Sequence, residues 1–181
     1  MNYYFLVASL PMLAFGSPPP LAEPAFLERC REQLTPDDRA VLTAVWERDG
    51  AGETHPFVTA WRDRETQLRN AVARQRGARI GRDPQPYLRP AAGLDMRLAA
   101  RVVDAFARPT PLDREMDIDR VRWDMLEELA GLNPFSLHAV LAYAARLRIA
   151  ARWSRMETDA GRRRMDECVT QFAASVEVKP L

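Results

Sequence analysis

The sequence predicts an all-α fold, about seven amphipathic helices packed as an irregular helical bundle, and three observations carry that prediction. In segment after segment, apolar residues recur at three- and four-residue intervals, the spacing that lines one face of a helix. Two of these segments open on the same signature. Thr35-Pro36-Asp37-Asp38 and Thr110-Pro111-Leu112-Asp113 each place a hydroxyl at the N-cap, a proline at the first helical position and acids beside the positive end of the helix dipole. Strict alternation is confined to Val176-Glu177-Val178, whose one conceivable partner is Tyr3 to Val7. A two-stranded pairing of the termini is the minor alternative, too small to set the fold class.

In chain order, Met1 to Gly16 is apolar apart from Asn2, Ser9 and the tyrosine hydroxyls. Ala14-Phe15-Gly16 has the form of a signal-peptide cleavage site, but no Lys or Arg precedes Arg29, where a secretory signal carries a basic start. Pro11 also interrupts a run too short to span a bilayer. The segment is therefore read as one that threads the core. Pro18-Pro19-Pro20 is a stiff spacer. Phe26, Leu27, Cys30 and Leu34 then mark one helix, and Val41, Leu42, Val45 and Trp46 a second, closed by Asp49-Gly50-Ala51-Gly52.

A longer helix begins at Phe57, with Phe57, Trp61, Leu68 and Val72 as its stripe and a polar tail from Arg74 to Arg82. Asp83 to Gly93 holds three prolines and reads as a connector. The chain is read as one helical domain, 1–181, with any division falling at 83–93. Leu94, Leu98, Val102 and Phe106 mark the next helix, and Ile118, Val121, Met125, Leu129 and Leu132 the one after Thr110. Asn133-Pro134 is read as the cap of a helix from Phe135 to Trp153 that is apolar on nearly every side, which makes it the central one. Met165, Cys168, Val169 and Phe172 line the last helix. Ala73 to Ala78 and Ala145 to Ala150 share an Ala/Arg register, which composition explains better than duplication.

With 47% hydrophobic and 28% charged residues the chain is an ordinary globular protein rather than a disordered one. Its net charge of +1 supplies no global field for nucleic acid or an anionic membrane. Lys179 is the only lysine, so nearly all positive charge is arginine, the residue suited to bidentate pairing with carboxylates. Residues 62 to 89 and 146 to 164 are each rich in arginine, while 113 to 128 is acidic. The acids read as the solvated face of an amphipathic helix, and their spacing lacks the glycine of a calcium loop. The arginines read as a mixture of internal partners for those acids and contacts for an acidic protein surface. Aromatic residues are not interleaved among them, and no nucleic-acid reader motif is present.

Signs of catalysis are few. His55 and His138 have no ligand or carboxylate at helical spacing, and His138 lies in the apolar helix, where a core histidine is the plainer reading. No phosphate loop, nucleophile elbow or paired-histidine zinc motif occurs. Cys30 and Cys168 have no metal-site spacing and sit in helical patterns, so both are expected to be buried, reduced thiols. The sequence therefore predicts no enzyme, no cofactor and no metal.

Two blocks resemble a known family. Asn2-Tyr3-Tyr4-Phe5-Leu6-Val7-Ala8-Ser9-Leu10-Pro11 with Phe26-Leu27-Glu28-Arg29-Cys30, and Asn133-Pro134-Phe135-Ser136 with Val140 to Arg148, resemble a bacterial family of uncharacterised proteins whose genes lie among those of V-type ATPase subunits. The helix Trp61 to Arg76, with Gln67-Leu68-Arg69-Asn70, is similar to a repeated helix of the C subunit (d in eukaryotes) of V/A-type ATPases. That subunit is a helical funnel between the central stalk and the membrane rotor. This chain is shorter and would supply fewer repeats.

The resemblance implies a non-catalytic subunit that binds other V/A-type ATPase subunits, in the stalk and the membrane ring, as a coupling piece in ion transport. It would be cytoplasmic and would reach the inner membrane through the complex. The alternatives are an assembly or regulatory factor that binds the ATPase transiently, or an unrelated helical interaction module. Arg62, Arg69 and Arg76, spaced by seven on one helix, are the candidate protein interface.

Overall fold

A computed structural model describes residues 2–47, 52–91 and 95–156, together with 161, 164, 165, 167, 168 and 170. Seven α-helices are defined among them: α1 (Tyr4–Ser9), α2 (Glu23–Gln33), α3 (Pro36–Glu47), α4 (Pro56–Ile80), α5 (Met96–Phe106), α6 (Pro111–Ala130) and α7 (Leu137–Ser154). A single 3₁₀ turn, Gln85–Tyr87, lies in the connector between α4 and α5. The fold is all-α, an irregular bundle.

Local chemistry sets the helix starts. The backbone N–H of Asp38 donates to Thr35 Oγ1 at 3.2 Å, and that of Asp113 to Thr110 Oγ1 at 3.1 Å, satisfying donors that have no partner inside the helix. Asp95 caps α5 by accepting from the N–H groups of Arg97 and Leu98. The cap of α7 is Ser136, not Asn133: Ser136 Oγ accepts from Ala139 N–H at 3.3 Å, and the helix begins two residues later than the sequence predicts. Asn133 Oδ1 instead accepts from Phe135 N–H, and its Nδ2 donates to Asn2 Oδ1 at 2.9 Å. At its far end α4 stops on Gly81, which takes the left-handed conformation at φ 64°. Buried Gly77 lets the chain fold back on the helix, since a Cβ there would stand 2.7 Å from the Arg82 carbonyl oxygen.

Two apolar cores result. In the larger, α7 lies among α1, α2, α3, the start of α4 and the end of α6, and Leu6, Phe26, Phe57, Val140, Leu141 and Leu147 are sealed from solvent. Each such side chain contributes about 1.5–3 kcal/mol of burial. The smaller core joins Leu68 and Ala71 of α4, Leu98 and Val102 of α5, and Ile118, Val121 and Met125 of α6. Trp61 packs against both, and α4 and α6 each contribute to both.

The amino-terminal segment is divided rather than wholly buried. Tyr3 and Leu6 are in the core while Phe5 and Met12 are exposed. Residues Tyr4 to Val7 are helical, so they form no strand, and their proposed partner Val176-Glu177-Val178 lies outside the described residues. Among the described residues the one extended pairing is an isolated antiparallel bridge between Asn2 and Ser136. Leu132, placed on the α6 stripe by its spacing, falls beyond the helix end and is fully exposed. Met165 and Cys168 are helical and exposed, so Cys168 is not the buried thiol its spacing suggests. Leu94, Val169, Phe172 and the Asp49-Gly50-Ala51 turn lie outside the described residues.

Candidate functional site

The arginine-rich helix α4 faces the acidic helix α6, and their side chains form an ordered network. Glu65 of α4 is shared by two guanidinium groups. Arg69 Nε, one turn on, stands 3.0 Å from Glu65 Oε1, and Arg122 of α6 reaches both oxygens, Nε to Oε2 at 3.0 Å and Nη2 to Oε1 at 3.1 Å. Arg122 Nη1 donates to Asp119 Oδ1 at 2.7 Å. The other Asp119 oxygen accepts from Arg152 and, at 2.8 Å, from Trp153 Nε1, both on α7. Burial works against the Arg122 charge, but Glu65 and Asp119 outweigh it and hold the pKa above the usual arginine value.

This network corrects the reading of residues 113 to 128 as a solvated face at Asp119, while Glu127 and Glu128 stay exposed as that reading expects. Asp119 is only 2% exposed, and Glu115, Asp117, Asp124, Glu127 and Glu128 pair with Arg76, Arg108, Arg101, Arg146 and Arg64. The reason is topological: α6 lies against α4, α5 and α7, each of which presents arginines towards it.

The three candidate interface arginines stand along α4. Arg62 Nη2 donates to the Glu53 carbonyl at 3.1 Å, Arg69 pairs with Glu65, and Arg76 Nη2 lies 3.2 Å from Glu115 Oε1. The side chains of Arg69 and Arg76 stay 58% and 63% exposed, so intramolecular pairing leaves their guanidinium groups accessible. Arg69 also stands between two clefts. One, of about 390 Å³, is bordered by Arg69, Arg76, Ile80, Tyr87, Glu115 and Ile118. The other, of about 370 Å³, opens between α3, α4, α6 and α7 and includes Arg62 and Arg69.

Sequence spacing gave no sign that the histidines meet. His55 and His138 lie edge to face with ring centroids 5.4 Å apart, and Phe57 covers His138. Burial, then the neighbouring His55, lowers the His138 pKa. His55 Nδ1 accepts from Phe57 N–H at 3.3 Å and caps α4, a structural task. Among the described residues, no group of three or more His, Cys, Asp or Glu is placed to hold a metal ion. Cys30 is fully buried and its thiol is pushed up to about 12 by desolvation, which removes it as a nucleophile near neutral pH.

The two blocks that carry the family resemblance meet in space. Tyr3 N–H donates to the Phe135 carbonyl at 2.7 Å, Asn2 bonds Asn133, and the Tyr4 and Phe135 rings lie 4.7 Å apart. Phe5 and Leu132, just beyond this junction in sequence, are 86% and 104% exposed. Among the described residues no helix is long and apolar enough to cross a membrane.

A family described as protein of unknown function, DUF2764, matches residues 95–175. The match takes in α5, α6 and α7, and with them the later of the two blocks. That description assigns no activity, ligand or partner. No curated protein and no solved structure matches the chain.

Proposed function

We propose that this chain is a non-catalytic helical subunit of a V/A-type ATPase, a coupling piece like the C (d) subunit between the central stalk and the membrane rotor. The observation that carries the reading is the junction of residues 2–4 with 133–136, which unites the two blocks resembling proteins encoded with V-type ATPase subunits. A coupling piece needs a surface that grips a neighbour while torque passes through it. Exposed Phe5 and Leu132 beside the junction supply apolar anchors, and Arg62, Arg69 and Arg76 supply charge along α4. Exposed ion pairs contribute about 1 kcal/mol or less, so exchanging an internal carboxylate for one on a partner costs little.

The test is affinity purification of the tagged chain from detergent-solubilised membranes of its native host. The A and B subunits are expected in stoichiometric yield and are expected to survive a high-salt wash. Recovery only at low salt, or only from cells still assembling the enzyme, identifies a transient assembly factor instead. If no ATPase subunit is recovered, the assignment fails. In the same experiment the Arg62→Gln, Arg69→Gln, Arg76→Gln triple variant is expected to fold but to be recovered with less ATPase, the deficit being largest at low salt and shrinking as salt screens the charges that the unsubstituted chain still carries.

A further inference from the structure

The cleft between α3, α4, α6 and α7 is lined by more arginines than carboxylates. Arg62, Arg69, Arg89, Arg122 and Arg148 line it with one carboxylate, Glu65, while Asp119, behind the lining, also pairs with Arg122. Glu65 is already shared by Arg69 and Arg122. Arg148 lies over the Trp46 ring at 5.5 Å, and its Nη1 is buried with no hydrogen-bond partner among the described residues. Arg89 is pinned by its backbone: Asn70 Nδ2 donates to its carbonyl at 2.7 Å, and its N–H donates to Asn70 Oδ1 at 2.9 Å. Asn70 is itself a buried polar side chain, spent on holding this one residue. The exposed Arg89 guanidinium has no partner among the described residues.

Like charges gathered in one cleft repel, and a bound polyanion relieves that repulsion. An unpartnered buried guanidinium nitrogen is costly in the same way, and a turn of the Arg148 side chain towards an acceptor in the cleft relieves that cost. The planar forks of arginine match phosphoryl oxygens two at a time. Apart from Thr66 the rest of the lining is apolar, with Val45, Val58, Trp61 and Ile149 offering a surface for a ring or hydrocarbon body. At about 370 Å³ the cleft suits a small ligand.

We propose that this cleft binds a small organic phosphate, with its phosphoryl groups among the arginines and its ring against Trp61 and Val58. A nucleoside diphosphate is the type compound. The inference does not depend on the ATPase assignment, because it concerns the isolated chain.

The experiment is isothermal titration of the purified full chain with ADP, pyrophosphate and citrate at low and high salt. ADP is expected to bind at one site with a Kd below about 1 mM. Pyrophosphate, which lacks the ring, is expected to bind more weakly, and citrate, which lacks phosphorus, more weakly still. Arg89→Gln, an exposed change that circular dichroism is expected to show folded, should weaken ADP about ten-fold, the loss of one charge-assisted contact. Absence of saturation by about 5 mM ADP overturns the proposal, since that affinity is too weak for a built site. Citrate binding as tightly as ADP overturns it too, because the cleft would then read charge and not phosphate. ADP binding unchanged by Arg89→Gln places the ligand elsewhere and has the same consequence.

Discussion

A carboxylate with 2% of its surface exposed, such as Asp119, is tolerated in a helical core where other charges and donors replace water around it. Arg122, Arg152 and Trp153 Nε1 do so from two helices. Asp119→Ala leaves Arg152 and Trp153 Nε1 without that partner and Arg122 with Glu65 alone. The expected loss is about 3–5 kcal/mol in urea unfolding, the cost of breaking one side of a buried pair. A loss below about 1 kcal/mol would show that water enters and solvates the arginines instead. Nothing in the sequence separates Asp119 from Asp117 or Asp124, because its burial comes from the Arg152–Trp153 turn of α7, distant in sequence. The same holds for His55 and His138, which meet only through the packing of α7 on the start of α4.

Among the elements, α7 was the most legible, since a helix apolar all round has nowhere to lie but among its neighbours. Val140, Leu141, Ala142, Ala144 and Leu147 are sealed on its different sides. Leu141→Ala is accordingly expected to cost about 2–5 kcal/mol, read as a lowered denaturant midpoint with an unchanged slope. An effect near zero would make α7 a surface helix. Its start was less legible. Asn133 and Ser136 are both good caps by type, and which one caps is decided by Asn2, which takes the Asn133 amide in a tertiary contact. Leu132 likewise has α6 spacing, but Gly131 ends the helix at positive φ before the stripe reaches it. The spacing of Arg62, Arg69 and Arg76 placed them on one helix, but not their partners, because Glu53 and Glu115 lie on other segments.

At the scale of the whole molecule, the all-α class was legible because caps and periodicity are local, while the clefts were not, since their walls come from four helices and a connector. The architecture also fixes how the chain should unfold. The proline-rich connector leads from α4 to α5, yet the two cores do not separate there. α4 runs from Phe57 and Val58 in the larger core to Leu68 and Ala71 in the smaller, and α6 runs from Ile118 and Val121 in the smaller to Trp123 and Leu126 in the larger. Neither core can open without stripping a helix that the other requires, so one cooperative transition is expected. The tryptophans make this measurable. Trp46, Trp123 and Trp153 pack in or against the larger core and Trp61 against both, so their fluorescence reports chiefly the larger core while far-UV circular dichroism reports every helix. The two denaturation curves should coincide. Leu98→Ala on α5, in the smaller core, should lower the fluorescence midpoint as surely as Leu147→Ala on α7, each by the equivalent of about 2–5 kcal/mol. If Leu98→Ala shifts part of the dichroism and leaves the fluorescence curve in place, the smaller core unfolds by itself and the shared helices fray at their midpoints.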